Sequence, residues 1–309
     1  MGFLYALESI RVPFLDTLMG WITHLGGETV YMAVAVATFW CISKSCGYYM
    51  LFTGFAGTLA NQFLKITCRI PRPWVKDPAF TIVENARAAA TGYSFPSGHT
   101  QNIFSSFGCI ARWTKTVWLR AVCIVIILLV AFSRMYLGVH TPLDVGVGAA
   151  MGLILVLALY PIFRDAEQHP QRLYLFFGVM ISLTVAYLAY TELWSFPADV
   201  DAANLASAAK SGYTLLGSSV AMLICFHVDQ KYTRFDPRAS LSAQLVKCVA
   251  GLALLVLIKS GLKAPLLALF HGGAVADAVR YFLVVFFAAG VWPLTFRWFA
   301  SWGTKKESK

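Results

Sequence analysis

Charged side chains are scarce in this chain. Asp, Glu, Lys and Arg make up 13% of its 309 residues, whereas 58% are hydrophobic. A typical soluble domain carries about 25% charged residues, so a soluble protein of this size could not cover its surface with the charges present. Intrinsic disorder requires the opposite composition, with low hydrophobicity and high net charge. The composition therefore predicts an integral membrane protein.

Two further features are missing. The seven cysteines show no metal-ligand spacing and lie mostly within or beside apolar runs, so we expect neither a disulfide framework nor a zinc site. No stripe of Lys and Arg interleaved with aromatic residues occurs outside the apolar segments, so the net charge of +10 does not indicate a nucleic acid partner. Two interpretations of the basic excess remain: loops that face anionic lipid, and a cluster that binds an anionic substrate.

Long apolar runs are abundant. A membrane-spanning helix needs about 20 apolar residues. Nine segments approach this length: residues 29–46, 48–64, 98–114, 117–137, 143–163, 173–191, 213–228, 243–262 and 279–299. Residues 1–25 are also apolar, but Glu8, Arg11, Asp16 and His24 interrupt them, which favours an amphipathic helix in the membrane interface over a span. The predicted fold is all-α, a polytopic membrane helical bundle of about nine spans.

The basic residues predict the orientation of these spans. If nine spans alternate, most short basic loops share one side with the tail that carries Lys305, Lys306 and Lys309. The positive-inside rule makes that side cytoplasmic, so we expect a cytoplasmic C-terminus in a bacterial cytoplasmic membrane. The loops 65–97 and 192–212 then face out. The basic residues of the 65–97 loop and Arg134 lie on the predicted outer side, where the positive-inside rule does not expect them. An extracytoplasmic site for an anion would account for them.

Three polar clusters lie at the same ends of their spans. The first is Lys65 followed after six residues by Arg72-Pro73, the second is Pro96-Ser97-Gly98-His99, and the third runs from Ser133-Arg134 through His140 to Asp144. Each has an ordinary explanation: a snorkelling lysine, a helix cap, a local polar pair. Together they bring cations, histidines and a carboxylate to one membrane face, and converging ionisable groups of this kind indicate function.

The third cluster predicts a local geometry. Thr141-Pro142-Leu143-Asp144 has the pattern of a helix start, with Thr141 as N-cap, Pro142 in the first turn and Asp144 as the capping-box carboxylate. His140 then lies just outside the helix, one turn from Asp144. The carboxylate can accept a hydrogen bond from one ring nitrogen of His140, which leaves the other free for nucleophilic attack.

The second cluster predicts an anion site. Ser97-Gly98-His99 begins a helix, where backbone N–H groups are unpaired and the dipole favours negative charge. Gly98 permits close approach of a phosphate, the Ser97 hydroxyl can donate a hydrogen bond, and His99 can protonate a leaving oxygen. Positive charge for the anion comes from Lys65, Arg72 and Arg134.

These three blocks, in this order and spacing, resemble the type-2 phosphatidic acid phosphatase superfamily over roughly residues 12–163. The resemblance implies a six-helix-type phosphatase core in which His140 is the nucleophile that forms a phosphohistidine, Asp144 orients it and His99 is the general acid. It also implies a phosphate-binding set, namely Lys65, Arg72, Ser97, Gly98 and Arg134. The family uses no metal or other cofactor, so none is expected here.

The remaining sequence supports a division of the chain and a choice of substrate. Residues 1–163 are predicted to form the phosphatase core with its interfacial N-terminal helix, and residues 164–309 a C-terminal extension of four spans. Gly148 and Gly152 favour close helix packing within the chain over a dimer face, and the oligomeric state stays open. The expected partners are membrane lipids and a lipid phosphate substrate.

Several substrates and functions are compatible with these motifs. Within the family we favour a lipid phosphate or diphosphate with a polyprenyl or other long chain; a sphingoid-base phosphate or a glucose-6-phosphatase-like sugar phosphate is the alternative. A non-catalytic lipid phosphate transporter or flippase would need repeated halves with broken helices, and no repeat occurs in the sequence. Vanadate-dependent haloperoxidases use a similar anion site, but those relatives are soluble.

Overall fold

A computed structural model describes residues 1–88, 90–166 and 168–302, and in these residues the chain is helical without β-strands. This confirms the predicted all-α class. The α-helices are α1 Gly2–Ser9, α2 Pro13–His24, α3 Glu28–Cys41, α4 Lys44–Cys68, α5 Pro73–Lys76, α6 Gly98–Ile103, α7 Cys109–Trp113, α8 Val117–Tyr136, α9 Pro142–Phe163, α10 Pro170–Leu193, α11 Ala202–Val228, α12 Leu241–Gly261, α13 Lys263–Leu269, α14 Val275–Phe286 and α15 Phe296–Ala300.

Six stretches are long and apolar enough to cross a membrane. They are Val117–Tyr136, Pro142–Phe163, Pro170–Leu193, Ala202–Thr233, Leu241–Leu269 and Val275–Ala300. The other three predicted spans are helical but do not meet both criteria. Helix α3 has only 14 residues, α4 has 25 residues but is less apolar, and the run from Gly98 to Trp113 is short and contains a π-helical segment, Phe104–Gly108.

The N-terminal segment forms two short helices where the sequence suggested one. Val12 has extended backbone geometry and Pro13 begins α2, because the residue before a proline disfavours the helical region. Phe14, Leu18 and Trp21 are exposed on α2, at a spacing that places them on one face. Helices of 8 and 12 residues are too short to span a bilayer, and this apolar face is suited to the membrane interface.

One compact unit contains residues 1–35, 48–165 and 193–208. In this catalytic unit the 65–97 loop is tied to the C-terminal end of α8, since the Val83 amide donates to the Leu137 carbonyl at 3.2 Å. Buried Phe80 and Ile82 of the loop pack with Leu4 of α1. Arg69 pairs with Asp199 at 3.4 Å. The polar loop is therefore an ordered part of this unit.

Two glycines set the distance between α9 and the Gly98–Trp113 run. A Cβ atom on Gly148 would lie 2.7 Å from the Ser97 carbonyl oxygen, and one on Gly152 would lie 2.6 Å from Cβ of Phe104. Any side chain at either position would push the two helical runs apart. This confirms close packing within the chain as the role of this glycine pair.

The second unit contains residues 36–47, 166–192 and 209 onwards. Its core includes a pair of tryptophans in contact: the rings of Trp40 and Trp292 are tilted by 50° with centroids 6.1 Å apart, and Trp40 donates to the Ala288 carbonyl at 2.8 Å. The predicted domain boundary at residue 163/164 stays a prediction. The basic tail with Lys305, Lys306 and Lys309 lies outside the described residues, so the cytoplasmic position of the C-terminus stays a prediction.

Candidate active site

Helix α9 begins as its sequence predicts, and this start fixes the site. Thr141 is the N-cap and Pro142 the first helical residue. The Asp144 amide donates to Oγ1 of Thr141 at 3.2 Å, and the Thr141 amide donates to Oδ2 of Asp144 at 2.7 Å. This reciprocal capping box holds the Asp144 carboxylate rigidly. His140 precedes it and is 2% exposed.

The imidazole of His140 lies between a carboxylate and a guanidinium. Its Nδ1 is 3.6 Å from Oδ2 of Asp144, and its Nε2 is 3.0 Å from Nη1 of Arg72. A guanidinium can only donate, so Nε2 must accept and the proton of the neutral ring is on Nδ1. The nucleophile-competent lone pair therefore points toward the cationic side of the site.

The sequence suggested a direct hydrogen bond between His140 and Asp144. In the structure the hydroxyl of Ser94 lies between the two side chains. The Ser94 hydroxyl donates to Oδ2 of Asp144 at 2.6 Å and is 3.5 Å from Nδ1 of His140. Nδ1 is thus farther from the carboxylate than a hydrogen bond allows, and the hydroxyl oxygen can accept its proton. Ser94 is fully buried and connects the two residues.

Arg72 is held by the backbone. Its Nε donates to the Gly92 carbonyl at 3.0 Å, Nη1 to Val139 at 2.9 Å and Nη2 to Thr91 at 2.6 Å. Burial lowers the pKa of Arg72 to about 10, so it remains charged at neutral pH. These bonds connect the 65–97 loop to the segment before α9 and place a fixed positive charge at His140.

The other two predicted cations also have neutral partners. Lys65, half-buried near the end of α4, donates to the Tyr93 carbonyl at 2.6 Å. Arg134, 1% exposed, donates from Nη1 to Oγ1 of Thr23 at 2.6 Å, and its buried Nε has no hydrogen-bond partner. Among the residues that the structure describes, neither they nor Arg72 form an ion pair. The site therefore has an excess of positive charge.

The Ser97-Gly98-His99 segment faces this charge. Ser97 caps α6, with its hydroxyl accepting from Thr100 Oγ1 at 2.9 Å, and its amide donates to the Asp144 carbonyl at 3.0 Å. Gly98 is not crowded: an added Cβ would make only an ordinary van der Waals contact, 3.9 Å from Oδ1 of Asn61. His99 is half-buried and lies within electrostatic reach of Arg134 and Arg72.

Burial and these cations decide the protonation of His140. The pKa of His140 lies well below its ordinary 6.5, first because the ring is buried and then because Arg72, Arg134 and Lys65 disfavour a further positive charge. The ring is therefore neutral at physiological pH, which is the state required of a nucleophile.

The catalytic and binding roles of the eight residues predicted from the motifs stay predictions, and the structure shows three supporting residues that sequence reasoning missed. Ser94 connects His140 and Asp144, Thr23 binds Arg134, and Asn61 donates to the Pro96 carbonyl at 3.3 Å. Of these three residues, only Ser94 could have been suspected from the sequence, because it lies three residues before Ser97 of the second motif. No group of three or more His, Cys, Asp or Glu side chains that could hold a metal occurs in the described part of the chain; metal independence stays a prediction.

Comparison with known proteins identifies the family. Residues 44–168 match the model of the PAP2 superfamily, and residues 213–305 match the transmembrane extension of PAP2 superfamily phosphatases. The first match contains all three motifs. The chain belongs to the PAP2 superfamily, as its motifs predicted, and is an integral membrane phosphatase.

Several curated relatives cover the catalytic part. An undecaprenyl-diphosphatase of Bacillus subtilis is 30% identical over 49% of this chain and 76% of its own length. A phosphatidylglycerophosphatase B of the same organism is 33% identical over 47% of this chain and 74% of its own length. A dihydrosphingosine 1-phosphate phosphatase of Schizosaccharomyces pombe is 26% identical over 50% and 40%, respectively. No solved structure matches the chain significantly.

Proposed function

We propose that this protein hydrolyses a phosphate or diphosphate carried by a polyprenyl or other long-chain membrane lipid, through a phosphohistidine on His140. One observation carries the proposal: Lys65, Arg72 and Arg134 all lie within electrostatic reach of a neutral, buried histidine, and none of them pairs with a carboxylate of the described residues. Desolvated charges are costly unless paired. A dianionic phosphate is the partner that satisfies them.

Substrate binding rearranges one contact. Nη1 of Arg72 is 3.0 Å from the His140 Nε2 lone pair, so a phosphate oxygen must draw the guanidinium away before Nε2 can reach phosphorus. Arg72 and Arg134 can each bind two phosphate oxygens. The amide of Gly98 and the cation of Lys65 complete the set of donors around the equatorial oxygens.

The first chemical step forms the phosphoenzyme. Nε2 of His140 attacks phosphorus in line, the P–O bond to the lipid breaks, and the electron pair stays on the leaving oxygen, which takes a proton from the imidazolium form of His99. Burial and then the nearby arginines lower the pKa of His99 in the free protein, and the bound dianion offsets these cations and favours the imidazolium. The phosphorylated ring keeps the Nδ1 proton and becomes positively charged. Ser94 and the Asp144 carboxylate stabilise this charge.

The second step restores the enzyme. Water attacks phosphorus from the side that the lipid has left, His99 accepts a proton from the water, and the P–N bond breaks with its electron pair returning to Nε2. Inorganic phosphate leaves. The same cations stabilise both transition states because the phosphoryl group hardly moves.

A lipid substrate follows from the position of the site. Trp21, exposed on the apolar face of α2, lines the same cavity as Thr23 and Arg134, and the Thr23 hydroxyl binds Arg134. A lipid lying in the interface can therefore present its headgroup to the cations without leaving the membrane. The relatives named for undecaprenyl diphosphate and phosphatidylglycerophosphate support this class, and those named for sphingoid phosphates keep the second candidate open. The distribution of basic residues between the two sides of the predicted spans favours a site on the extracytoplasmic face of a bacterial cytoplasmic membrane.

Phosphate release by the purified full-length protein in detergent tests this proposal. We expect hydrolysis of long-chain lipid phosphates or diphosphates to exceed that of glucose 6-phosphate. His140→Ala should lower the rate by at least about 10⁴-fold, as removal of a nucleophile does. His169→Ala, an exposed histidine in the 164–169 loop, is the matched control. A fully active His140→Ala protein would contradict the mechanism, and a faster sugar phosphate would contradict the substrate class.

A further inference from the structure

Arg11 lies between the two N-terminal helices and turns its side chain into the protein. Its neighbours Ile10 and Val12 are 53% and 47% exposed, as expected of a segment in the membrane interface. An arginine at such a place usually extends its charged end to water and lipid headgroups. The Arg11 guanidinium instead donates to two backbone carbonyls, and its Nη2 is buried. Contacts within the protein therefore fix this side chain.

The first contact is with the end of α8. Nε of Arg11 donates to the Tyr136 carbonyl at 3.0 Å, and Tyr136 is the last residue of that helix. The last carbonyls of a helix have no partner within it, and a cation there interacts favourably with the helix dipole. Arg11 thus caps the C-terminus of α8 from a position 125 residues earlier in the chain.

The second contact is with the 65–97 loop. Nη1 of Arg11 donates to the Thr81 carbonyl at 2.9 Å. The amide of Thr81 in turn donates to Oε1 of Glu8 in α1 at 3.1 Å. One guanidinium therefore joins the end of α8 to the loop that carries Arg72.

The turn after α8 has room for this guanidinium because residue 138 is glycine. Gly138 has a φ of +79°, a conformation that favours glycine, and an added Cβ would lie 2.8 Å from Nη2 of Arg11. The next two amides, those of Val139 and His140, donate to the Arg134 carbonyl at 3.2 and 3.3 Å. The turn that ends at His140 is therefore packed directly against Arg11.

We infer that Arg11 is a positioning residue, which caps α8 and supports Gly138 so that the turn holds His140 in place for attack. The inference rests on the proposed function. None of the contacts that the structure shows for Arg11 involves His140 or a phosphate-binding side chain. Displacement of a reacting group by about 1 Å can slow a reaction about 100-fold. Loss of Arg11 should therefore slow the chemical step and leave substrate binding nearly unchanged.

A matched control lies at the other end of the same helix. Nε and Nη2 of Arg120 donate to the carbonyls of Ala111 and Thr114 at 3.2 and 2.9 Å. Arg120 thus resembles Arg11 in bonding two backbone carbonyls through its guanidinium. It lies about 24 Å along the helix axis from Tyr136, at about 1.5 Å per residue. A loss of stability shared by both substitutions would be structural, whereas a loss of kcat confined to Arg11 would not.

Steady-state kinetics of the full-length protein in detergent, with farnesyl diphosphate as the probe, test this role. We expect Arg11→Gln to lower kcat at least about 10-fold and to keep KM within about 3-fold of wild type. Arg11→Lys keeps a cation at the helix end and should be at least about 3-fold faster than Arg11→Gln. Arg120→Gln should change kcat by less than about 2-fold. Thermal unfolding of each preparation corrects kcat for the folded fraction.

The outcomes separate this inference from the proposed function. If Arg11→Gln lowers kcat no more than Arg120→Gln does, Arg11 is only structural and the inference is disproved. A rise in KM that exceeds the fall in kcat disproves it too, because Arg11 would then act on binding. A lysine variant no faster than the glutamine variant contradicts the capping role. In each of these cases the wild-type protein is still a phosphatase, whereas a wild-type protein inactive on farnesyl diphosphate would contradict the proposed function itself.

Discussion

Buried cations have different partners in the two units of this protein. In the catalytic unit, Arg72 donates to backbone carbonyls and Arg134 to a threonine hydroxyl. In the second unit, Lys44 bonds to Asp229 at 2.6 Å, and Arg280 bonds to Asp277 one turn away in α14. Both acids and Arg280 are buried.

Lys247 is a buried cation that is stabilised in a third way. It is fully buried in the second unit, donates to the Pro237 carbonyl at 2.8 Å and lies over the Phe296 ring, 4.3 Å from its centroid. The ring face and the carbonyl stabilise one ammonium. The catalytic unit instead brings Arg72, Arg134 and Lys65 within electrostatic reach of His140, and none of the three forms an ion pair with a described residue.

This difference separates structural charges from functional ones. A buried ion pair is complete in the folded protein, and removing one partner exposes the desolvation cost of the other. A cluster of cations without acids, unlike the single Lys247 over its aromatic ring, is incomplete until an anion binds. Charge balance, rather than burial alone, therefore indicates which ionisable residues of a membrane protein bind substrate.

Among the tests of this difference between the two units, Arg134→Met should have the largest effect on activity. The substitution keeps the volume and removes an uncompensated charge, so we expect about 1,000-fold slower phosphate release with an unchanged or raised melting temperature in detergent. Rate and melting temperature are measured on the same preparation. If the variant melts well below wild type, Arg134 is structural and the contrast fails.

Asp277→Ala should have the converse effect. It leaves Arg280 buried without its acid, and we expect a loss of about 3 kcal/mol of stability with unchanged kcat for the folded fraction. Thermal unfolding in detergent provides the measurement. The double variant Asp277→Leu with Arg280→Met replaces the pair by apolar groups and should recover most of the loss. An equally unstable double variant would show that the charges are not the cause.

Ser94→Ala should have a smaller effect on the rate. The serine hydroxyl connects Nδ1 of His140 to the Asp144 carboxylate, and loss of a positioning contact of this kind costs about 10-fold. We expect kcat to fall with little change in KM, and Ser94→Thr to retain more activity than Ser94→Ala. An unchanged kcat would mean that Asp144 orients the ring without Ser94.

Acid should destabilise the protein through His140, and this is the smallest effect. Its folded pKa is far below 6.5, so below pH 6.5 only the unfolded state takes up the proton. Stability is then fully present above pH 6.5 and falls as the pH decreases, by about 1.4 kcal/mol at pH 5.5. Comparison of thermal unfolding at pH 7.5 and 5.5 for wild type and His140→Gln isolates this contribution. Identical acid sensitivity of the two proteins would contradict it.

The sequence predicted the catalytic geometry where it is local. The α9 cap follows from Thr141, Pro142 and Asp144 because a capping box involves neighbouring residues only. The six long apolar helices follow from hydropathy for the same reason. Predictions that depended on more distant contacts were less complete: residues 1–25 form two helices, and α3, α4 and the Gly98–Trp113 run do not meet the criteria for spans.

The site residues missed by sequence reasoning are all bound across long separations. Thr23 reaches Arg134 over 111 positions, and Ser94 reaches Asp144 over 50. A lone threonine in an apolar helix or a serine in a loop has no periodicity or spacing that would identify its partner. Their contribution depends on which backbone segments the fold brings together.

The sequence by itself determined that this is a membrane phosphatase, since few charges, long apolar runs and three spaced motifs are properties of the chain. It also identified the histidines and cations of the site. Only the tertiary structure decided that these cations lack acidic partners among the described residues, that Nε2 of His140 faces Arg72, and that Arg134 lines a cavity. Charge compensation, ring orientation and empty volume arise from residues far apart in sequence, and packing alone brings those residues together.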